Sequence, residues 1–267
     1  MTKIYYFSGT GNSLWSAKKI AQIIGEPCEL RNIGIEAEKD EIIIEAQAVI
    51  FVYPSYAYGL PLIVRRFVKK AVFRTQYLAA FVTYGSSPGG TQAELSRLLK
   101  KKKPGSFYFG GIPAMENYIS FFGPHKEGQI AKRAGMQEEA TEKAARCVIE
   151  RRTNRVFPFR PLSSFVSFLF SLGVKIFYRH YRVSGKCNGC GVCEKVCPVA
   201  GIKMMEKRPV FSGKCENCVA CIDFCPSRAI QFGRARFGTP GYCHPDISIG
   251  ELGRGKSPFL TDPYYEG

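Results

Sequence analysis

Eight of the eleven cysteines lie between residues 187 and 225, in two runs that have the same spacing. The first run is Cys187-x-x-Cys190-x-x-Cys193-x-x-x-Cys197-Pro198, and the second is Cys215-x-x-Cys218-x-x-Cys221-x-x-x-Cys225-Pro226. A segment that must bring eight thiols to fixed positions has little freedom to fold in any other way. Because thiolate sulfur is a soft ligand that suits iron–sulfur clusters and zinc, the two runs predict metal ligation.

The repeated spacing is typical of two [4Fe-4S] clusters, in which the fourth cysteine of each run crosses to the other cluster. Three cysteines along a tight loop can reach three irons of one cube, so the fourth iron must be met from elsewhere. The predicted ligand sets are Cys187, Cys190, Cys193 and Cys225 for one cluster, and Cys215, Cys218, Cys221 and Cys197 for the other. Two zinc sites are the alternative, but four-ligand zinc sites give no reason for two complete repeats.

The length and composition predict two domains and a cytoplasmic location. The chain has 267 residues, and the cysteine runs occupy only a small part of it, so the residues before them need a fold of their own. The amino-terminal residues predict a strand and lack the succession of charged, apolar and small residues that marks a secretory signal. Because iron–sulfur clusters are assembled on reduced thiols, this also favours the cytosol.

The first 150 residues alternate short apolar runs with helical stretches, which predicts an α/β domain with a parallel sheet covered by helices. The predicted strands are Lys3–Phe7, Cys28–Ile33, Ala48–Tyr53, Leu78–Tyr84 and Ser106–Ile112. The predicted helices are Ser13–Ile24, Leu60–Val72, Thr91–Lys102 and Gln129–Arg151. Five strands in this pattern suit the order 2-1-3-4-5, which is one of the doubly wound arrangements.

The loop after the first strand predicts a phosphate site. Its sequence is Ser8-Gly9-Thr10-Gly11-Asn12-Ser13. Two glycines allow a tight turn, the hydroxyl and amide groups supply neutral donors, and the following helix offers unpaired N–H groups. The loop lacks the lysine of a Walker P-loop, so it suits a terminal phosphate monoester.

These residues resemble the FMN phosphate loop of flavodoxins, which usually read Thr/Ser-x-Thr-Gly-Asn-Thr/Ser. Two further loops lie where flavodoxins hold the isoalloxazine ring, Tyr53–Gly59 after the third strand and Tyr84–Gly90 after the fourth. The resemblance implies FMN, with tyrosine rings stacking on the flavin. The implied FMN-binding residues are Ser8, Thr10, Gly11, Asn12, Ser13, Pro54, Tyr56, Tyr58, Gly59, Tyr84, Gly85 and Gly89.

A flavodoxin-like domain followed by a small α+β ferredoxin-like 2[4Fe-4S] domain resembles the EFR1 family of flavodoxin–ferredoxin fusion proteins. The resemblance extends to Met-Glu-Asn-Tyr-Ile at 115–119 and Tyr-Cys-His-Pro-Asp at 242–246. It implies a flavodoxin-like domain over 1–152, a connecting helix over 153–184, a ferredoxin domain over 185–235 and a tail over 236–267. The implied function is electron transfer between two [4Fe-4S] clusters and FMN, as an oxidoreductase or electron carrier with no assigned catalytic residue. The alternative is a ferredoxin whose flavodoxin-like half is an empty docking module.

Positive charge predicts the class of partner. The net charge is +16, and residues 151–186 contain eight Lys or Arg and no Asp or Glu. A basic field beside iron–sulfur clusters favours an acidic redox partner, and no nucleic-acid motif is present. A solvated basic face without a partner is the plainer alternative.

The segment from Phe157 to Tyr181 predicts an amphipathic helix. Its apolar stripe is formed by Phe165, Phe168, Leu169, Leu172 and Ile176, widened by Phe170, Phe177 and Tyr181. The preferred interpretation is a connecting helix packed against both domains. The alternative is a helix in the plane of a membrane, giving weak membrane-surface contact. The longest charge-free run, 161–174, is too short to span a bilayer.

Overall fold

The computed structural model describes residues 1–102, 105–118, 125–154, 161–233 and 237–253. Its N-terminal half is built on five parallel strands, β1 Thr2–Tyr6, β2 Cys28–Asn32, β3 Ile43–Pro54, β4 Val72–Tyr84 and β5 Ser106–Pro113. The strand order is 2-1-3-4-5, which confirms the predicted flavodoxin-like sheet. The ends of several sequence features lie outside the described residues, namely Ile119, Arg155, Phe157, Arg160 and the predicted boundary at 235/236.

Helices cover both faces of this sheet. They are α1 Asn12–Ile24, α2 Ile33–Glu36, α3 Leu62–Lys70, α4 Thr91–Lys100 and α5 Glu127–Ile149. Apolar residues of α3 and α4 pack on one face, and those of α1 and α5 pack on the other. The central residues of β3 and β4 are buried continuously, as expected for strands covered on both sides.

Strands β3 and β4 begin five and six residues earlier than predicted. In the added segments buried and exposed residues alternate, with Ile44 and Phe73 buried and Glu45 and Arg74 exposed. The prediction followed continuous apolar runs, which mark strands buried on both faces. It therefore missed the half-exposed strand extensions, whose period is two.

The C-terminal half is small and contains both cysteine runs. A long helix, α6 Pro161–Phe177, and a 3₁₀ turn, Tyr178–His180, lead into it. Its strands are β6 Arg182–Val183, β7 Ile202–Met205, β8 Arg208–Phe211 and β9 Ile230–Gln231, and its helices are α7 Val192–Lys195 and α8 Ala220–Asp223. Strand β6 pairs with β9 and β7 pairs with β8, all antiparallel, and a last helix, α9 Ile249–Leu252, follows in the tail.

The two halves share one hydrophobic core. The cluster beneath α3 and α4 continues without a break into buried residues of the cysteine-rich half, among them Val199, Ile202 and Ile222. At the junction, the backbone of Gly34 lies so close to Pro198 that an added methyl group would lie 2.0 Å from the carbonyl oxygen of Pro198. The halves are therefore packed together through close backbone contacts.

The apolar stripe of α6 is not packed as predicted. Phe165, Phe168, Leu169, Leu172 and Ile176 are all exposed, while Ser167 and Val174 are the buried residues of this helix. Phe177 and Tyr181, which were expected to widen the stripe, belong to the packed side and contact the ring of Phe232. The helix contacts both halves, as the preferred interpretation expected, through Ser167 against Gly59 and Phe177 against Phe232. The packed side is not the predicted stripe, because the helix has two apolar sides and buries the other one.

Candidate functional site

The first cysteine pocket lies between the two runs. Its lining includes three cysteines of the first run, Cys187, Cys190 and Cys193, together with Cys225 of the second. Cys197, the last cysteine of the first run, does not line this pocket. The chain therefore brings together the first predicted ligand set.

The second cysteine pocket mirrors the first. It is lined by Cys215, Cys218 and Cys221 of the second run and by Cys197 of the first. The exchange of the fourth cysteine between runs is thus present in the fold, and the ligation of iron by these sulfurs stays a prediction. Among the described residues, no three His, Cys, Asp or Glu side chains are arranged to hold a single metal ion.

The backbone repeats as the sequence does. Three positions with positive φ in the first run recur 28 residues later in the second, which is the separation of Cys187 and Cys215. The pairs are Gly189 with Asn217, Gly191 with Val219, and Ala200 with Arg228. A β-branched residue such as Val219 rarely adopts this conformation, which costs about 1–3 kcal/mol. The surrounding contacts must offset that cost to fix the second loop in the shape of the first.

Backbone N–H groups point at the cysteine sulfurs. The bonds are Gly201 N–H to Cys197 Sγ at 3.1 Å, Asn217 N–H to Cys215 Sγ at 3.3 Å, and Ala229 N–H to Cys225 Sγ at 3.3 Å. The first and third span four residues in equivalent places of the two runs. Donors of this kind favour the thiolate over the thiol and tune the potential of a cluster bound there.

Burial acts in the opposite direction on the same thiols. It raises the pKa of Cys193 and of Cys215 to about 11, and it raises the pKa of Cys218 and of Cys221 well above the usual range. These thiols give up their protons only to a strongly bound cation, so metal binding would release protons. Buried sulfurs with N–H donors fit an iron–sulfur cluster and suit a hard cation poorly.

A third pocket lies at the carboxyl ends of the parallel strands. The loop before α1 forms one wall, and its turn depends on Gly11, whose φ is +106°. Ser8 Oγ accepts a hydrogen bond from the N–H of Gly11 at 3.2 Å. In the described part of the chain no side chain caps the N-terminus of α1, and Asn12 and Ser13 of its first turn line the pocket. An uncapped helix N-terminus of this length is suited to a phosphate group.

Eight of the twelve predicted FMN-binding residues line this pocket: Ser8, Thr10, Asn12, Ser13, Pro54, Tyr56, Tyr84 and Gly85. The other four, Gly11, Tyr58, Gly59 and Gly89, are not among the lining residues. Tyr58 is 41% exposed and packs against Gly89, and the backbone of Gly59 lies against Ser167 of α6. Tyr58, Gly59 and Gly89 therefore support the loops after β3 and β4 without lining the pocket.

The segment after β5 supplies lining residues that the prediction did not assign to the site. Ala114, Met115, Glu116 and Asn117 all line the pocket. Asn117 Nδ2 donates to Thr10 Oγ1 at 3.0 Å and also to the carbonyl oxygen of Cys218 at 3.4 Å. The available signal was position, because this segment follows the carboxyl end of a parallel strand, where doubly wound folds bind ligands.

The third pocket and the second cysteine pocket meet at Gly9. An added methyl group there would lie 2.9 Å from the carbonyl oxygen of Cys218 and 2.9 Å from the hydroxyl oxygen of Tyr56. The hydroxyl of Tyr56 is buried and has no hydrogen-bond partner in the described part of the protein, and this burial raises the pKa of Tyr56 well above the usual range. The backbone at Gly9 therefore lies directly between the loop suited to phosphate and Cys218, a predicted cluster ligand.

The C-terminal tail packs against the same loop. The N–H of His244 donates to the carbonyl oxygen of Thr10 at 2.8 Å, and the ring of His244 stacks on Trp15 with centroids 5.0 Å apart. Trp15 Nε1 donates to Asp246 at 3.0 Å, and Tyr242 donates to Asn12 Oδ1 at 3.3 Å. Of the predicted loop donors, the Asn12 amide is directed to the Met115 carbonyl at 2.9 Å. The tail thus fixes the loop from outside.

A comparison with protein-family models finds a match in the C-terminal half. Residues 179–226 match the model of a 4Fe-4S dicluster domain. This range includes all eight cysteines of the two runs. No curated protein matches the chain.

Several solved structures are similar to the N-terminal half. A flavodoxin from the domain Archaea is 14% identical over 54% of this chain and 99% of its own, with a TM-score of 0.32. The two-electron reduced flavodoxin of Megasphaera elsdenii is 18% identical over 55% and 99%, with a TM-score of 0.34. An NAD(P)H:quinone oxidoreductase from Methanothermobacter marburgensis is 10% identical over 59% and 98%, with a TM-score of 0.39. The fold assignment rests on the strand order itself.

Proposed function

We propose that this chain is an electron-transfer protein that holds two [4Fe-4S] clusters and FMN, and that electrons pass between the cluster at Cys197, Cys215, Cys218 and Cys221 and the flavin. The observation that carries the proposal is the contact of Gly9 with Cys218, which puts the loop suited to phosphate against the loop of a cluster ligand. The combination is the one that the EFR1 family of fusion proteins implies.

When bound, the clusters supply one-electron steps and the flavin supplies one- or two-electron steps. The chain contributes position and surroundings. Eight cysteines would hold the irons, and the N–H groups of Gly201, Asn217 and Ala229 would stabilise the ligand sulfurs. The buried hydroxyl of Tyr56 lies beside Gly9, where it would help to exclude water from the space between the pockets.

The FMN phosphate would be held by neutral groups. Ser8 and Thr10 present hydroxyls beside the N-terminus of α1, whose partial positive charge favours an anion. Tyr84 and Gly85 lie across the pocket, where the isoalloxazine ring would meet the fourth-strand loop. The carboxylate of Glu116 lies against Gly85, so a larger residue at this position would require the Glu116 side chain to move.

The electron-transfer partner that the charges favour is an acidic protein. The net charge of +16 would speed its approach, and raising the salt concentration would slow it. The cytoplasmic location expected from the sequence stays a prediction, as does the absence of nucleic acid among the partners.

The proposal is tested by anaerobic reconstitution of the full chain with iron, sulfide and FMN. We expect about eight irons per chain and about one FMN, with the spectra of both cofactors in the same sample. Zinc at one ion per site in place of iron would end the cluster proposal. Failure to retain FMN, with no gain in melting temperature when it is added, would leave the flavodoxin-like half as a docking module.

A further inference from the structure

Helix α6 presents an exposed apolar surface, called here the α6 stripe. Six large side chains on this helix are between 50% and 76% exposed: Leu162, Phe165, Phe168, Leu169, Leu172 and Ile176. Five of them follow a spacing of three and four residues, which puts them on one side of the helix. A contiguous apolar surface of this kind marks an interaction site.

The other side of α6 is fixed to the body of the protein at two points. Near its middle, Ser167 is buried against Gly59 of the pocket loop. At its end, the ring of Phe177 lies 5.7 Å from that of Phe232 in the cysteine-rich half. The helix is therefore held along the protein surface, with the α6 stripe facing outward.

This packing decides how α6 can meet a lipid bilayer. Residues 161–180 are long and apolar enough to cross a membrane by length and composition alone. A spanning helix would have to leave both contact points, since the rest of the domain cannot enter the hydrocarbon region. A helix attached by one side and apolar on the other instead suits the plane of the interface.

Positive charges accompany the stripe. Lys175, Arg179, Arg182 and Lys186 are exposed, and none of them pairs with a carboxylate in the described part of the chain. Arg179 continues the stripe three residues after Ile176. The sequence contains no Asp or Glu from 151 to 193. Neither α6 nor the segment that follows it to residue 193 therefore contributes an acidic side chain to the surface around the stripe.

We propose that the α6 stripe and these cations bind an anionic lipid bilayer, with α6 in the plane of the interface. Aromatic and aliphatic side chains would enter the boundary between headgroups and acyl chains, and the cations would remain among the lipid phosphates. A second copy of the chain fits this surface poorly, because a symmetric contact would oppose the same positive charges. The cofactor pockets are not part of this surface.

The test is flotation of the anaerobically reconstituted chain with vesicles of phosphatidylcholine, with and without phosphatidylglycerol. We expect binding to the mixed vesicles and little to the neutral ones. Raising the salt from about 0.1 M to about 1 M should weaken binding, because the Debye length falls from about 10 Å to about 3 Å. The bound protein should be released by alkaline carbonate, as expected for a helix that does not span the bilayer.

A pair of double variants gives the matched comparison. Phe168→Glu with Leu172→Glu should lower partitioning at least about tenfold, since two charges would have to enter the interface. Met205→Glu with Val210→Glu adds the same charge at residues that are 61% and 48% exposed on the β7–β8 hairpin. This control variant should lose much less of its partitioning into the vesicles. Iron content and far-UV circular dichroism establish that both variants are folded.

Three results would overturn the proposal. Equal binding to neutral and anionic vesicles would show that the cations do not contribute to membrane binding. Equal losses in the two double variants would remove the α6 stripe as the site. Dimerisation of the wild type that only the α6 variant abolishes, without vesicle binding, would assign the surface to a second copy of the chain.

Discussion

Cys197 and Cys225 each belong to one cysteine run by sequence and line the pocket of the other run in space. This exchange ties the two runs together, so the removal of one sulfur has a consequence away from its sequence neighbours. The assignment of these two cysteines to the opposite pockets can therefore be tested with the same substitution at each position.

We predict that Cys197→Ala damages the cluster held by Cys215, Cys218 and Cys221 and leaves the other cluster intact. Cys225→Ala is the matched control and should have the reverse effect. The measurement is iron content together with the EPR spectrum of each reduced variant, with about four irons retained per chain. Loss confined to the Cys187, Cys190 and Cys193 centre in Cys197→Ala would contradict the crossed assignment.

His244 gives a second prediction at this scale. Burial lowers its pKa to about 4, and its Nδ1 accepts the N–H of Asp246 at 3.3 Å, which requires an unprotonated nitrogen. In the unfolded chain the pKa is about 6.5, so between these values the unfolded state binds more protons. The stability should therefore fall as the pH drops from about 6.5 to about 4.

Thermal melts of His244→Gln across this pH range should show a flatter dependence than the wild type. The control is His180→Gln, at an exposed position outside the described contacts of the tail. An unchanged slope in His244→Gln would show that other groups carry the acid sensitivity.

Residue spacing predicted some contacts and could not predict others. The cysteines are grouped as expected because their pattern is local and is repeated once. Asn117 and His244 reach the loop suited to phosphate from more than 100 residues away. The position of Asn117 after β5 indicates only the edge of the sheet at which it lies, and nothing in the neighbourhood of His244 indicates its contact. Only the family resemblance singles out the Met-Glu-Asn-Tyr and Tyr-Cys-His-Pro-Asp segments that contain these residues.

At the scale of elements, α1 depends on a glycine at each end. Gly11 and Gly25 both have positive φ, but only Gly11 belongs to the loop suited to phosphate, where an added methyl would lie 2.7 Å from Cβ of His244. The position of Gly25 is open, with nothing within 4 Å. Substitutions at these two glycines therefore separate the cost of backbone strain from a change in phosphate binding.

We predict that Gly11→Ala lowers FMN affinity at least about tenfold, while Gly25→Ala leaves it close to wild type, although both lose roughly 1 kcal/mol of stability or more to strain. Titrations with FMN and with riboflavin, which lacks the phosphate, provide the measurement. The wild-type preference for FMN should shrink only in Gly11→Ala. An equal preference in both variants would remove the loop before α1 from the phosphate site.

The sequence predicted the elements correctly where strands are buried on both faces. It failed to identify the packed side of α6, which has two apolar sides of which only one is buried. The five strands and their order followed from continuous apolar runs alternating with helices. In α6 and just after it, the residues Phe170, Val174, Phe177 and Tyr181 repeat with the same helical spacing as the α6 stripe. Periodicity alone could not decide which of two apolar sides is packed, because that depends on the shape of the neighbouring domains.

At the scale of the whole molecule, the close contact of Gly34 with Pro198 holds the halves in register. We predict that Gly34→Ala lowers the free energy of unfolding by about 1–3 kcal/mol, because the backbone around Pro198 must shift. Gly135→Ala on α5 is the control, since its added methyl meets nothing within 4 Å and should stabilise the helix by roughly 0.5–1 kcal/mol. Denaturant titrations of both variants supply the comparison, and equal behaviour would contradict a tight junction.

The central claim is that electrons pass between a cluster and the flavin inside one polypeptide. The most direct test is pulsed photoreduction of the reconstituted protein, with the flavin and cluster absorbances followed over a range of protein concentrations. The account predicts a first-order exchange between the two cofactors whose rate is independent of protein concentration and is lost in Cys197→Ala. A rate that rises in proportion to concentration would show that the electrons move between molecules, and it would contradict the account.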